Sequence, residues 1–125
     1  MDLTAELVRN SFVVLHFIGL ASLLGGFLTQ MKAMAASDAK IVPSMVHGAW
    51  TMLITGVALV GIAEWRIAMG ADFEVDHMKI GVKSLVLLLI LFLVLYFKKK
   101  DSVKPAIFGL IGLLTTLNIV LAVFW

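Results

Sequence analysis

The stretch "LVLLLILFLVLYF", residues 85–97, contains only apolar and aromatic side chains and no charged one. With the residues before it, it forms a segment over 79–97 that approaches the length of about 20 residues that a helix needs to cross a bilayer core. Three more apolar segments of this length occur at 8–29, 45–64 and 105–125. The chain therefore predicts an all-α membrane protein, an antiparallel bundle of four transmembrane helices.

The composition agrees with this fold class. Of 125 residues, 62% are hydrophobic and 14% are charged, whereas soluble domains contain about 25% charged residues. The connections between the four segments have 15, 14 and 7 residues, which predicts a single domain over 1–125. Without cysteine, the side chains provide no disulfide, thiolate metal site or iron–sulfur cluster. A net charge of +2 gives no reason to expect a nucleic-acid partner.

The distribution of basic residues predicts the orientation in the membrane. In a chain of four membrane-spanning helices, the termini and the second connection share one side, and the first and third connections share the other. The termini side has Arg9, Arg66 and Lys79 among six acidic residues. The opposite side has six lysines: Lys32, Lys40, Lys98, Lys99, Lys100 and Lys104. By the positive-inside rule, we expect both termini to face outward from the plasma membrane.

One histidine lies inside the first predicted helix, in "LHFIGLASLLGG" at 15–26. His16 borders a stripe of small residues, Gly19, Ser22 and Gly26, that allows another helix to approach closely. The imidazole is therefore expected to face protein rather than lipid. Three roles stay open for it: a hydrogen bond to a neighbouring helix, a contact with haem or quinone, and a proton relay.

Lys83 lies about one turn inside the third predicted helix, on a face that it shares with Asp76 and Lys79. A lysine at such a depth without a partner costs at least ~2.5 kcal/mol. We therefore expect Lys83 to extend to the membrane surface, to pair with Asp76 or Glu64, or to serve a ligand. Glu64 ends the second helix on the same side of the membrane, and His77 begins the third helix there.

The polar residues thus concentrate in the half of the membrane next to the termini, where Asn118 also lies. His47 lies on the opposite side, because the seventeen residues from His47 to Glu64 span about 25 Å. It cannot share an axis with His16, whereas a pairing of His16 with His77 stays open. The candidate cofactor contacts, for haem or quinone, are His16 and Lys83, and the candidates around them are His77, Glu64 and Asp76. The scattered methionines predict apolar packing, and no metal site is predicted.

Three segments, "LHFIGLASLLGG", "TGVALVGIAEW" at 55–65 and "MKIGVKSLVLLLI" at 78–90, resemble the small four-helix integral membrane proteins of actinobacteria. The resemblance covers nearly the whole chain. More distantly, the segments are similar to the copper-resistance protein D family and to the small helical protoporphyrinogen oxidase family of haem synthesis. The second similarity implies a functional histidine in the first helix and a functional lysine in the third, which here match His16 and Lys83.

Two classes of function follow. The first is a non-catalytic accessory or assembly subunit of a larger membrane complex, with a cytochrome-containing respiratory complex as the expected partner. The second is a haem-binding redox protein or protoporphyrinogen oxidase-like enzyme, in which His16 ligates iron and Lys83 neutralises a propionate or binds substrate. In that case Glu64 or Asp76 handles protons. Transport of a metal or small solute is less favoured, because the helices show no mid-membrane interruption.

Overall fold

A computed structural model of the protein describes residues 3–70 and 76–124. Each of four long helices is long and apolar enough to cross a membrane. The helices are α1 (Leu3–Thr29), the short α2 (Met31–Ala35), α3 (Pro43–Ala68), α4 (His77–Phe97) and α5 (Pro105–Phe124). The predicted all-α bundle of four membrane-spanning helices is confirmed, and the protein is a multi-pass membrane protein.

The helices α1 and α3 are longer than the predicted spans over 8–29 and 45–64. The helix α1 begins earlier and α3 extends at both ends, so that polar residues such as Glu6 and Arg66 are helical. The apolar run marks the part of a helix inside the hydrocarbon, whereas backbone hydrogen bonding continues into the polar interface. Hydropathy therefore underestimates the length of these helices.

Both prolines begin a helix, as the sequence predicts. Pro43 is the first residue of α3 and Pro105 is the first residue of α5. At this position the missing N–H costs no helical hydrogen bond. The predicted fourth span ended at Trp125, which lies outside the described residues.

The closest helix pair is α1 with α3, while α4 packs on both α3 and α5. A Cβ added to Gly48 would lie 2.5 Å from the backbone nitrogen of Leu23 and 2.6 Å from the carbonyl oxygen of Gly19. Glycines allow this approach of the two backbones. Across the same seam the hydroxyl of Ser22 donates to the carbonyl oxygen of Ser44 at 2.7 Å. The small-residue stripe of the first helix is thus the α1–α3 interface.

The two ends of the bundle differ, and we name them by their connections. The loop end holds the α1–α3 and α4–α5 connections, which are joined where the backbone N–H of Val103 donates to the carbonyl oxygen of Ala39 at 2.8 Å. The terminal end holds the beginning of α1, the end of α3, the beginning of α4 and the end of α5. By the sequence-based topology, the terminal end is the one predicted to face outward.

The packed core occupies the half of the bundle at the loop end. Its fully buried side chains include Leu23, Met45, Val94, Phe108 and Ile111. Among the described residues the buried core ends at about the same depth in all four long helices. The last buried positions toward the terminal end are Gly19 on α1, Thr55 on α3, Val86 on α4 and Thr115 on α5, with Ala5 as the one exception beyond them. The bundle is therefore packed at the loop end and open at the terminal end.

Candidate functional site

A cavity of about 290 Å³ lies where the packed core stops. All four long helices line it: α1 contributes His16, α3 contributes Gly56, α4 contributes Lys83, and α5 contributes Asn118. The volume is close to the lower bound of the about 300–1,000 Å³ that small-molecule sites occupy. Three polar residues that the sequence places in the same half of the membrane therefore meet in one cavity, which we call the His16 cavity.

The imidazole of His16 is half-buried and is held by Thr55. Nδ1 of His16 lies 2.7 Å from Oγ1 of Thr55, and Thr55 itself is 3% exposed. The Thr55 hydroxyl donates to the carbonyl oxygen of Thr51 at 2.6 Å. A hydroxyl has a single proton. With that proton on the Thr51 carbonyl, we assign Nδ1–H of His16 as the donor to Oγ1. The hydrogen bond to a neighbouring helix, one of the roles predicted for His16, is present.

This hydrogen bond leaves the lone pair of His16 on Nε2. Among the described residues no hydrogen bond of Nε2 is seen, and the ring also has a hydrogen bond with the backbone of Met52. The ring lies beside Gly56, where an added Cβ would be 3.6 Å from Cε1 of His16. A neutral histidine that lines a cavity and has one ring nitrogen held by an oxygen shares this feature with metal-ligating histidines. His16 offers a Lewis base rather than a donor.

Asn118 and Lys83 add an amide and a cation to the lining of this cavity. Oδ1 of Asn118 is buried and has no hydrogen-bond partner among them. Leaving such an oxygen unpaired costs about 1–3 kcal/mol, so Oδ1 marks a place for a donor from a ligand or a water molecule. Lys83 is half-buried. It forms no ion pair with Asp76 or Glu64, the two partners considered from the sequence.

A second cavity of about 640 Å³ lies at the terminal end and carries most of the charge. Lys83 lines both cavities, as do Leu59, Val60 and Ile80, so the two adjoin each other. The charged side chains of its wall are Glu6, Arg9, Arg66, Asp76, Lys79 and Lys83. Cations outnumber carboxylates there, which favours an anionic group. We call this the charged cavity, and it contains the face that Asp76, Lys79 and Lys83 were predicted to share.

The other predicted site residues lie apart from the His16 cavity. His77 and Glu64 pair with each other, with 2.8 Å between Nε2 and Oε1, and their side chains are 77% and 47% exposed. Neither residue lines either cavity, so the structure does not bring His77 to His16. Asp76 caps α4, where its carboxylate accepts from two backbone N–H groups of the first turn. It also lines the charged cavity.

A bare metal ion has no binding site in the described part of the chain. No group of three or more histidine, aspartate or glutamate side chains placed to hold one occurs there. His47 is exposed on α3 near the loop end, away from His16 as the sequence predicts. The methionines Met45 and Met52 are buried in the core. The His16 cavity could therefore hold a metal ion only if the ion brings further ligands of its own.

Thr55 and Gly56 complete the site but carry no strong signal in the sequence. Both lie in the apolar stretch "TGVALVG", where the glycines indicate helix packing. The one sequence feature that could have indicated them is a threonine directly before a glycine near the middle of the second predicted helix, at about the depth of His16. Asn118, in contrast, stands out as an amide in an apolar helix.

Comparison of the chain with models of known protein families, with curated proteins and with solved structures gives no match. The resemblance to the copper-resistance protein D and protoporphyrinogen oxidase families stays a prediction from short segments. The basis for a function is therefore the geometry of the two adjoining cavities.

Proposed function

We propose that the protein binds haem, or a closely related metalloporphyrin, in the His16 cavity. The observation that carries this proposal is the hydrogen bond that holds Nδ1 of His16 on Thr55. The assigned tautomer leaves the Nε2 lone pair on a residue that lines a cavity at the end of the packed core. A porphyrin supplies the equatorial ligands of its iron, so a single protein histidine can complete the binding. The need for only one protein ligand agrees with the described residues, among which no group of three or more metal-binding side chains occurs.

The charged cavity supports the same ligand. Haem carries propionate groups, and carboxylates form strong charge-assisted hydrogen bonds with arginine and lysine. Lys83 lies at the junction of the two cavities, and Arg9 and Arg66 lie farther toward the terminal end. In the proposal His16 ligates the iron and Lys83 neutralises a propionate, which are the roles considered for them from the sequence.

The direction of the His16 hydrogen bond favours haem over a quinone. A quinone carbonyl requires a hydrogen-bond donor, but Nδ1–H of His16 already donates to Thr55. The remaining nitrogen of a neutral imidazole can only accept. A quinone ring also has no carboxylate for Lys83, whereas the iron of haem takes a nitrogen lone pair directly.

The chain's own contribution is binding and electrostatics. Haem would supply the one-electron chemistry when bound. Thr55 holds the imidazole of His16 and Lys83 balances negative charge, while Oδ1 of Asn118, which has no partner among the described residues, would accept a hydrogen bond from a bound water molecule. The proposal places this activity in the plasma membrane and assigns no catalytic residue.

The test is an absorption spectrum of the protein purified from its native membrane in mild detergent, with mass spectrometry of everything that copurifies. We expect a Soret band on the isolated chain, its loss in His16→Ala, and its retention in His47→Ala. The second variant is the matched control because His47 is exposed near the loop end. Gel filtration confirms that both variants remain folded.

A colourless isolated chain would contradict the proposal. If that chain also copurified in fixed proportion with cytochrome subunits, the result would support the other function predicted from the sequence, that of an accessory subunit of a respiratory complex. His16 would then be a packing residue that joins α1 to Thr55 of α3. The same purification thus distinguishes the two classes of function.

A further inference from the structure

We infer that the ligand of the His16 cavity enters sideways from the lipid, between α1 and α5, with its acidic groups turned toward the charged cavity. The inference rests on the proposed function and adds to it the route and the class of ligand. The ligand is a lipid-dissolved amphiphile whose acidic groups lie at one end. Four features of the bundle support this route.

The seam between α1 and α5 is closed only at the loop end. There Phe27 of α1 stacks on Phe108 of α5, with 5.2 Å between ring centroids. Gly112 leaves the space that the Phe27 ring occupies, since an added Cβ would overlap the ring. Toward the terminal end, beyond Gly19 and Thr115, the described residues of these two helices are not buried apart from Ala5. The seam therefore opens at the level of the His16 cavity.

Residues at this seam line the cavity and also face outward. Phe17 of α1 lines the cavity and is 62% exposed, and Ala122 of α5 lines the cavity and is exposed. At about 100° per residue, Phe17 lies about 80° around α1 from Phe27 and about 160° from Gly19, so it faces away from α3. A side chain that borders both a cavity and the lipid-facing surface marks an opening between them. We call this opening the α1–α5 portal.

The floor and the α3 side of the His16 cavity are closed. The floor toward the loop end includes Met52 and Leu87, which are 4% and 6% exposed. The α3 side is closed by the hydrogen bond from His16 to Thr55 and by the close backbone contact at Gly48. The remaining sides of the lining lead to the portal, to the charged cavity and, at the exposed Ser84, to the outer face of α4. We compare the first two of these routes.

The chemistry of the two routes differs. An apolar ring that passed through the charged cavity would have to displace the hydration of Arg9, Lys79 and their neighbours. Through the portal, the ring moves between apolar side chains while acidic groups stay at the polar level of the membrane. Because Lys83 lines both cavities, these groups reach a cation without crossing the hydrocarbon.

The test places the same substitution at each route. Ala122→Phe narrows the portal, and Ala63→Phe narrows the charged cavity that Ala63 lines. Val123→Phe is the control, because Val123 is 70% exposed and lines neither cavity. The full chain is reconstituted in phosphatidylcholine vesicles with haemin dissolved in the bilayer. The Soret change then gives the rate of haemin uptake, and an excess of apomyoglobin gives the rate of release.

We expect Ala122→Phe to slow uptake and release alike, about tenfold, which equals about 1.4 kcal/mol on each barrier. The slowing of uptake is the deciding result, because Ala122 and Ala63 each line a cavity and their variants can also change the Kd. Val123→Phe should exchange haemin at the wild-type rates, and Ala63→Phe should slow uptake less than Ala122→Phe. Uptake slowed as much or more in Ala63→Phe, or uptake at the wild-type rate in Ala122→Phe, would overturn the lateral route. If the wild-type chain takes up no haemin, the proposed function itself fails, and this result is distinct from the other two.

Discussion

Thr55 determines the chemistry of His16, because its hydroxyl proton is already donated to the carbonyl oxygen of Thr51. The variant Thr55→Val keeps the shape of the side chain but removes the acceptor of Nδ1–H. We expect the affinity for haem to fall about 10- to 100-fold, the usual effect of removing the hydrogen-bond partner of a metal-ligating histidine. Titration of the purified protein with haemin, followed at the Soret band, measures this change.

Thr55→Ser is the matched control for this residue. It retains the hydroxyl that accepts from His16 and loses only a methyl group, so its affinity for haemin should stay near that of the wild-type protein. An equal loss in Thr55→Ser and Thr55→Val would mean that packing around residue 55, and not the hydrogen bond, holds the imidazole. An unchanged affinity in Thr55→Val would show that the orientation of His16 does not depend on Thr55.

The sequence predicts His16 and Lys83 as neighbours in depth but does not predict Thr55. Depth follows from the rise per residue along each helix, which can be counted in the sequence. The partner of His16 depends on the rotation of α3 about its axis, which only the packing of α1 against α3 sets. The same limit applies to Glu64 and His77, which were expected near the cofactor and instead pair with each other at the surface.

Among the helices, the α1–α3 pair depends most on small residues. A Cβ at Gly48 would lie within 2.6 Å of backbone atoms of Leu23 and Gly19, and backbone atoms cannot move aside as a side chain end can. Gly48→Ala should therefore separate the helices and lower the free energy of unfolding by about 1–3 kcal/mol. Thermal unfolding in detergent, followed by circular dichroism, measures the loss.

Gly61→Ala is the control on the same helix. Gly61 has no atom within 4 Å of an added Cβ, and alanine is favoured over glycine in a helix by up to about 1 kcal/mol. We expect this variant to be as stable as the wild-type protein or slightly more stable. If Gly48→Ala were equally stable, the close approach of α1 and α3 would not be a source of stability.

The existence of the helices could be predicted from hydropathy, but their ends could not. Apolar runs identify the part of each helix in the hydrocarbon, and the observed spans contain those runs. The polar extensions of α1 and α3, such as the turn around Glu6, are helical because their backbone groups continue the same hydrogen-bond ladder. Nor does hydropathy predict the short α2 in the first connection.

For the whole molecule, the packed half and the open half should differ in their contribution to stability. Phe108 is fully buried and stacked on Phe27, whereas Phe17 is 62% exposed at the portal. Phe108→Ala should cost about 1–3 kcal/mol, less than the about 3–5 kcal/mol of a water-soluble core, because unfolded membrane segments stay in lipid. Phe17→Ala should cost less than about 0.5 kcal/mol. Unfolding in sodium dodecyl sulfate measures both, and equal losses would contradict the division into two halves.

The orientation of the whole molecule decides which aqueous side the charged cavity faces. The chain contains no cysteine, so the labelling of a single introduced cysteine shows on which side of the membrane that residue lies. Met69 is 73% exposed at the terminal end, and Ser102 is exposed at the loop end. Since lysines concentrate at the loop end, the positive-inside rule predicts that a membrane-impermeant maleimide labels Met69→Cys in intact cells and Ser102→Cys only after permeabilisation. The reverse pattern would place the charged cavity at the cytoplasmic surface, and the portal would then draw its ligand from the inner leaflet.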